Sequence, residues 1–159
     1  MRNKRFIGID PGSKGCVACI EGDTISFYPL TGDVSTYQDC IDIMSHYATS
    51  TYVAVEDVHG LPGQSCSANT TFMKLAGMAE LVGWCLSTAG YMKVPPVTWK
   101  KHFGLTSKGL SKTERKHLSI DLAKKLYPAV ADQLKASRDG WAEALLIARY
   151  YQDVLQSTE

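Results

Sequence analysis

Five acids stand where carboxylates are costly or where they could act together. Asp10 closes the apolar run "FIGID" ahead of Pro11, "VAVEDV" ends a second run in Glu56 and Asp57, and "RDGWAEALLIA" sets Asp139 and Glu143 four residues apart. On a helix that spacing puts Asp139 and Glu143 one turn apart on one face, and Leu146, Ile147 and Tyr150 continue the same stripe. An acid on an apolar stripe is expensive to bury unless it is paired or holds a metal ion. Alone, the last pair also fits a partner such as Arg138 or a half-exposed helix start. Together with Asp10 and Glu56 it reads as a set of acids suited to holding metal ions.

The elements that must position these acids follow from pattern and turn chemistry. "RFIGID", "KGCVACIEG" and "TISFYPL", separated by the turn signals "PGSKG" and "EGDT", predict a three-stranded antiparallel meander. Residues 35–48 have helical spacing with Ser35 as a possible cap, and "YVAV" is a continuous apolar run that fits a strand buried on both faces. Strand, helix and second buried strand make a crossover unit, so the first and fourth strands are expected to be parallel neighbours. Parallel neighbours end at one edge of the sheet, and open sheets of this kind bind ligands outside the carboxyl ends of their strands. Asp10 and one of Glu56 or Asp57 then sit side by side. Successive side chains alternate faces, so only one of the two shares a face with Asp10, and Glu56 is favoured.

After the loop "HGLPGQSCSANT", Thr70 to Thr88 reads as a long helix with Phe72, Leu75, Ala79, Val82 and Leu86 on one stripe, and Ala76, Gly77 and Gly83 as small residues on its surface. "YMKV" reads as a short strand and "TWKKHF" as a helical turn after Pro95 and Pro96. Ser111 with Glu114 three residues later is a capping-box signature opening another helix.

The chain has 159 residues, 45% of them hydrophobic, enough for one packed core, and the expectation is a single α/β domain spanning 1–159. Its basic start is interrupted at Asp10 and Pro11, unlike a signal peptide, and no apolar segment approaches about 18 residues. Five scattered cysteines do not suggest a disulfide framework. "CVAC" is read as two small apolar residues in a strand rather than metal ligands. A cytoplasmic location, or another reducing compartment, is expected. The net charge is +1, but Lys100 to Lys125 holds eight Lys or Arg against Glu114 and Asp121, so the remaining 133 positions sum to −5. A basic segment beside metal-holding acids suggests a nucleic-acid partner.

"IGIDPGSKG", "VAVEDV", "PPVTWKKHFGL", "SKTERK" and "RDGWAEALLIA" occur in the order and at the separations of the RuvC-like Holliday-junction resolvases. The chain is most similar to the phage and chloroplast members, over nearly its whole length. Each motif alone is weak, since "DPGS" after a strand also resembles the phosphate loop of actin-like ATPases; the ordered set is specific. The resemblance implies a ribonuclease H-like fold, with a mixed five-stranded sheet of three antiparallel and then parallel strands flanked by helices. It further implies a homodimer built on the Thr70–Thr88 helix, and two Mg2+ ions, replaceable by Mn2+, held by Asp10, Glu56, Asp139 and Glu143. Many bacterial members space the last two acids by three residues rather than four.

The same resemblance implies hydrolysis of DNA strands at a four-way junction, leaving 5′-phosphate and 3′-hydroxyl ends. Lys112 matches the family's basic residue at the "S-K" helix start, where an ammonium and free backbone N–H groups meet a phosphate, and Lys101 is the nearest match to a second one. Lys108 and Lys116 join them as candidate DNA contacts. His59 and Leu61 occupy the place where relatives insert a side chain into the junction centre. A ribonuclease H acting on RNA–DNA hybrids, or on other branched DNA, uses the same acids and is the competing expectation. An actin-like kinase needs a second domain for which this length leaves no room.

Overall fold

A computed structural model describes residues 4–45, 50–105 and 108–158. Three seven-residue strands, β1 (Lys4–Asp10), β2 (Gly15–Glu21) and β3 (Thr24–Leu30), pair antiparallel as the expected meander. The chain crosses over through α1 (Val34–Met44) into β4 (Ser50–Glu56), which pairs parallel to β1. Helix α2 (Cys66–Leu86) leads to β5 (Gly90–Val94), parallel to β4, giving the order β3-β2-β1-β4-β5. Helices α3 (Pro96–His102), α4 (Lys112–Leu126) and α5 (Asp139–Gln156) complete the chain, with two short 3-10 turns before α5. The result is a mixed five-stranded α/β sheet flanked by helices.

The central strands are buried on both sides, and alternation divides their side chains between two cores. Ile7, Ile9, Val17, Val53 and Val55 pack against α1 and α2 through Tyr37, Leu75, Ala79, Val82 and Leu86. Phe6, Cys16, Ala18 and Ala54 face α5 through Ala144, Leu145 and Ala148. Cys16 and Cys19, three apart in an extended strand, therefore lie in opposite cores, which excludes their sharing one metal ion and fits their reading as small apolar residues. Burial pushes both thiols up, Cys19 to about 11.

Gly8 permits a very close approach of α5 to β1. A Cβ there would overlap the Ala144 carbonyl and the Ala148 amide, so α5 lies directly on β1 only because the strand has no side chain at that point. Glu143 is thereby brought down to the sheet edge where β1 ends.

Several boundaries depart from the expected ones. Asp33, not Ser35, caps α1, its carboxylate accepting from the Ser35 amide at 3.1 Å; residues 46–48 of the expected helix lie outside the described residues. Ser65 caps α2, which begins four residues before Thr70 and ends at Leu86. Ala76 and Gly83 are not on its free surface: both are buried, and a Cβ on Gly83 would lie 2.7 Å from Val55 Cγ2. Gly77 alone of the three faces outward, with nothing within 4 Å of a Cβ built on it. The capping box of Ser111 and Glu114 on α4 is present in both directions.

Candidate metal centre

The register that pairs Ile9 with Val55 sets Asp10 beside Glu56 at the carboxyl ends of β1 and β4. Both follow the alternation that points Phe6 and Ala54 toward α5, and α5 supplies Glu143. Carboxylate oxygens of Asp10, Glu56 and Glu143 all lie within 4.8 Å of one another. Gly140 admits this approach, because a Cβ there would stand 2.9 Å from Asp10 Oδ2. Asp57 points the other way and binds Lys93 at 3.0 Å, which also holds Glu80 of α2 at 2.7 Å.

Three carboxylates so close oppose one another's ionisation. Burial, then the charges of Glu56 and Glu143, hold the Asp10 carboxyl well above the ordinary value of 3.8, with Lys100 opposing the shift. Burial and the Glu143 charge likewise raise Glu56, against the Trp99 hydrogen bond and Lys100. Such a cluster is relieved either by a proton or by a cation. The donor set, all carboxylate oxygen and enclosed between two strands and a helix, fits a hard divalent ion.

Side chains that pattern reading did not single out support the acids. The Trp99 indole donates to Glu56 Oε1 at 2.9 Å from a fully buried position. Lys100 reaches Glu143 Oε1 at 3.2 Å, and the Ser119 hydroxyl donates to the same oxygen at 3.4 Å. The basic residue of "TWKKHF" that meets the acids is thus Lys100, while Lys101 is exposed. Nothing periodic marks these contacts, which join residues 24 to 43 positions apart.

Asp139 is the first residue of α5 and stands outside the group of three. It pairs with Lys116 of α4 at 2.6 Å, and its charge still adds to those raising Asp10. Lys116 is raised in turn by this partner. Lys112 is exposed at the first position of α4, and Lys108 is exposed in the turn before it. His59 is mostly exposed, 3.8 Å from Asp57. Leu61 is 54% exposed; its backbone is clamped by Asn69, whose side chain accepts from the Leu61 amide at 3.0 Å and donates to its carbonyl at 3.1 Å. Beneath this loop a groove of about 510 Å³ runs from Ser13 past Leu61 and Gln64 to Phe72 and Leu75.

On the outer face of α2, Met73, Leu81 and Trp84 are exposed together with Gly77. Trp84 stacks on Tyr91 with ring centroids 4.4 Å apart. No described helix is long and apolar enough to cross a membrane.

A mixed sheet of this order, flanked by helices, is the arrangement of the ribonuclease H-like fold. Among solved structures it matches "T. thermophilus RuvC in complex with Holliday junction substrate" at a TM-score of 0.55 and 12% identity, over 94% of this chain and 96% of that one. At that identity the likeness is one of fold. No protein-family model matches the sequence, and no curated protein matches it.

Proposed function

We propose that the chain is a structure-specific endodeoxyribonuclease, a single nuclease domain that resolves four-way DNA junctions by paired, metal-dependent hydrolysis. The observation that carries this reading is the convergence of Asp10, Glu56 and Glu143 within 4.8 Å at the carboxyl ends of adjacent parallel strands, in a fold shared with a protein solved on a Holliday junction. The sequence motifs extend the likeness toward phage and chloroplast resolvases.

Asp10, Glu56 and Glu143 would hold Mg2+, or Mn2+ in its place, with Asp139 completing a two-ion set once Lys116 turns from it toward a phosphate. When bound, such ions would supply the chemistry of two-metal phosphodiester hydrolysis, which leaves 5′-phosphate and 3′-hydroxyl ends. Lys100 holds Glu143 in place at the rim. Lys112, at a helix start with its free N–H groups, takes a phosphate of the cut strand, and Lys101, Lys108 and Lys116 add phosphate contacts that position the duplex arms without reading bases. His59 and Leu61, on a loop stiffened by Asn69, lie where a side chain can enter the junction centre.

A junction presents two strands of like polarity about a twofold axis, and a twofold homodimer presents one site to each. The exposed face of α2 around Gly77, with Met73, Leu81 and Trp84, is the surface we assign to that dimer. The described free thiols suit a reducing compartment such as the cytoplasm.

The test is cleavage in Mg2+ of a mobile four-way junction beside a three-way junction, a linear duplex and an RNA–DNA hybrid of the same sequence. Preference for the four-way junction, lost in Asp10→Asn, supports the reading. Preference for the hybrid assigns the site instead to a ribonuclease H activity.

A further inference from the structure

We propose that Trp99 is a positioning residue of the metal centre, its indole N–H fixing Glu56 as a ligand while its ring face seats the lysine that holds Glu143. The inference rests on the metal-centre reading above and assigns to one side chain of α3 the geometry of two acids on β4 and α5.

Trp99 is fully buried and is the largest such side chain among the described residues. It lies in the core cluster that α5 builds with the sheet, a place that an apolar ring also fills, yet its single polar atom is spent on Glu56 Oε1 at 2.9 Å. An indole N–H is a donor only and carries no charge. It therefore holds one carboxylate oxygen in a fixed direction and does not neutralise the acid as a lysine would. The adjacent Lys100 stands over the Trp99 ring, Nζ to centroid 4.9 Å, and reaches Glu143 at 3.2 Å. A cation over an aromatic face is attracted to it, so the ring limits where that ammonium can stand. Partners behind a ligand generally set its orientation, and losing one typically weakens metal binding about 10- to 100-fold.

Two replacements separate the N–H from the ring. Trp99→Phe keeps an aromatic face and removes the donor; site-specific replacement of Trp99 by 3-benzothienylalanine keeps nearly the whole shape and exchanges only N–H for sulfur. Mn2+ binding to the 159-residue chain without DNA is measured by titration calorimetry, alongside thermal unfolding in EDTA and binding of a four-way junction in EDTA. The expected result is Mn2+ affinity reduced about 10- to 100-fold in both, with unfolding temperature and junction affinity of the sulfur isostere matching wild type. If Trp99→Phe is poorly folded, the isostere alone decides. Mn2+ affinity of the isostere within about threefold of a metal-binding wild type overturns the role of Trp99 and leaves the metal centre standing. Lower unfolding temperature with unchanged Mn2+ affinity also overturns it, marking Trp99 as packing only. A wild-type chain that binds no Mn2+ removes the metal centre itself, and this inference with it.

Discussion

Replacing Asp10 by Asn is expected to stabilise the metal-free protein while destroying its response to Mg2+. The substitution keeps the volume and removes one of three charges whose oxygens lie within 4.8 Å of one another. Two unit charges at that distance repel by about 3.5 kcal/mol at an effective dielectric of about 20, the value that serves best even for buried sites. Asp10 belongs to two of the three pairs. Two effects reduce the gain. Lys100, 3.2 Å from Glu143, offsets part of the repulsion. The folded protein can also take up a proton, because the Asp10 carboxyl lies above its ordinary value of 3.8; doing so at pH 7 costs roughly 4 kcal/mol and caps what the substitution can recover. The expected stabilisation at pH 7 is therefore about 1 to 4 kcal/mol, at roughly 2–4 °C of unfolding temperature per kcal/mol for a chain of this size.

The pH dependence follows from the same shift. Because the folded carboxyl is raised above its unfolded value, the folded chain binds more protons than the unfolded one between the two. Metal-free stability thus falls as pH rises from about 4 until the folded group ionises. D10N has a shallower fall. Thermal unfolding in EDTA and in excess Mg2+, at several pH values, reads all of this: wild type gains stability from the ion by mass action, and the variant gains little. An unfolding temperature for D10N equal to or below wild type in EDTA would refute the electrostatic reasoning.

Other substitutions test other parts of the structure. Gly77→Lys places a charge on the open face of α2 and, in a dry interface, an unescaped charge costs about several kcal/mol; the chain should stay folded, become monomeric by light scattering and nick rather than linearise a cruciform plasmid. Ala76→Lys, at a buried position, should unfold the protomer instead. Lys112→Ala should weaken binding to all junction sequences alike and lower the log-affinity against log-salt slope by about 1; a changed cut-site dinucleotide would mean the residue reads bases. Gly8→Ala forces α5 off β1, so denaturant unfolding should show a loss of about 1–3 kcal/mol and calorimetry a weaker Mn2+ affinity; unchanged values in both would show that the close approach does not position Glu143.

Where one local rule determined the outcome, the sequence was readable. The crossover and the alternation of strand side chains put one of Glu56 or Asp57 beside Asp10 and favoured Glu56; the structure sets Glu56 there and Asp57 on the other face, where Lys93 holds it. The Ser111–Glu114 box marked the start of α4 because both partners lie within one turn. Ser35 was a plausible cap for α1, but Asp33 stands two residues earlier and offers a stronger acceptor. Helical spacing gave the buried stripe of α2 but placed Ala76 and Gly83 outside it, since small residues are ambiguous between a free surface and a close contact with the sheet. Trp99, Lys100 and Ser119 were hidden because their partners are set by how α3, α4 and α5 dock. A signal was present for Gly8, an isolated glycine inside an apolar strand, which marks close backbone approach. The spacing of Asp139 and Glu143 put both on one helix face, yet it carried no sign that Asp139 would pair with Lys116 and fall outside the group of three.

The most direct measurement of the central claim is mapping of both cut strands on a single synthetic four-way junction, with and without Mg2+, followed by treatment of the products with DNA ligase. The expected result is two incisions related by the junction's twofold axis, made in one binding event, abolished by EDTA, and sealed by ligase because each nick carries a 5′-phosphate and a 3′-hydroxyl. Single-strand cuts without symmetry, cleavage that persists in EDTA, or ends that ligase cannot seal would contradict a paired, metal-dependent resolvase built on Asp10, Glu56 and Glu143.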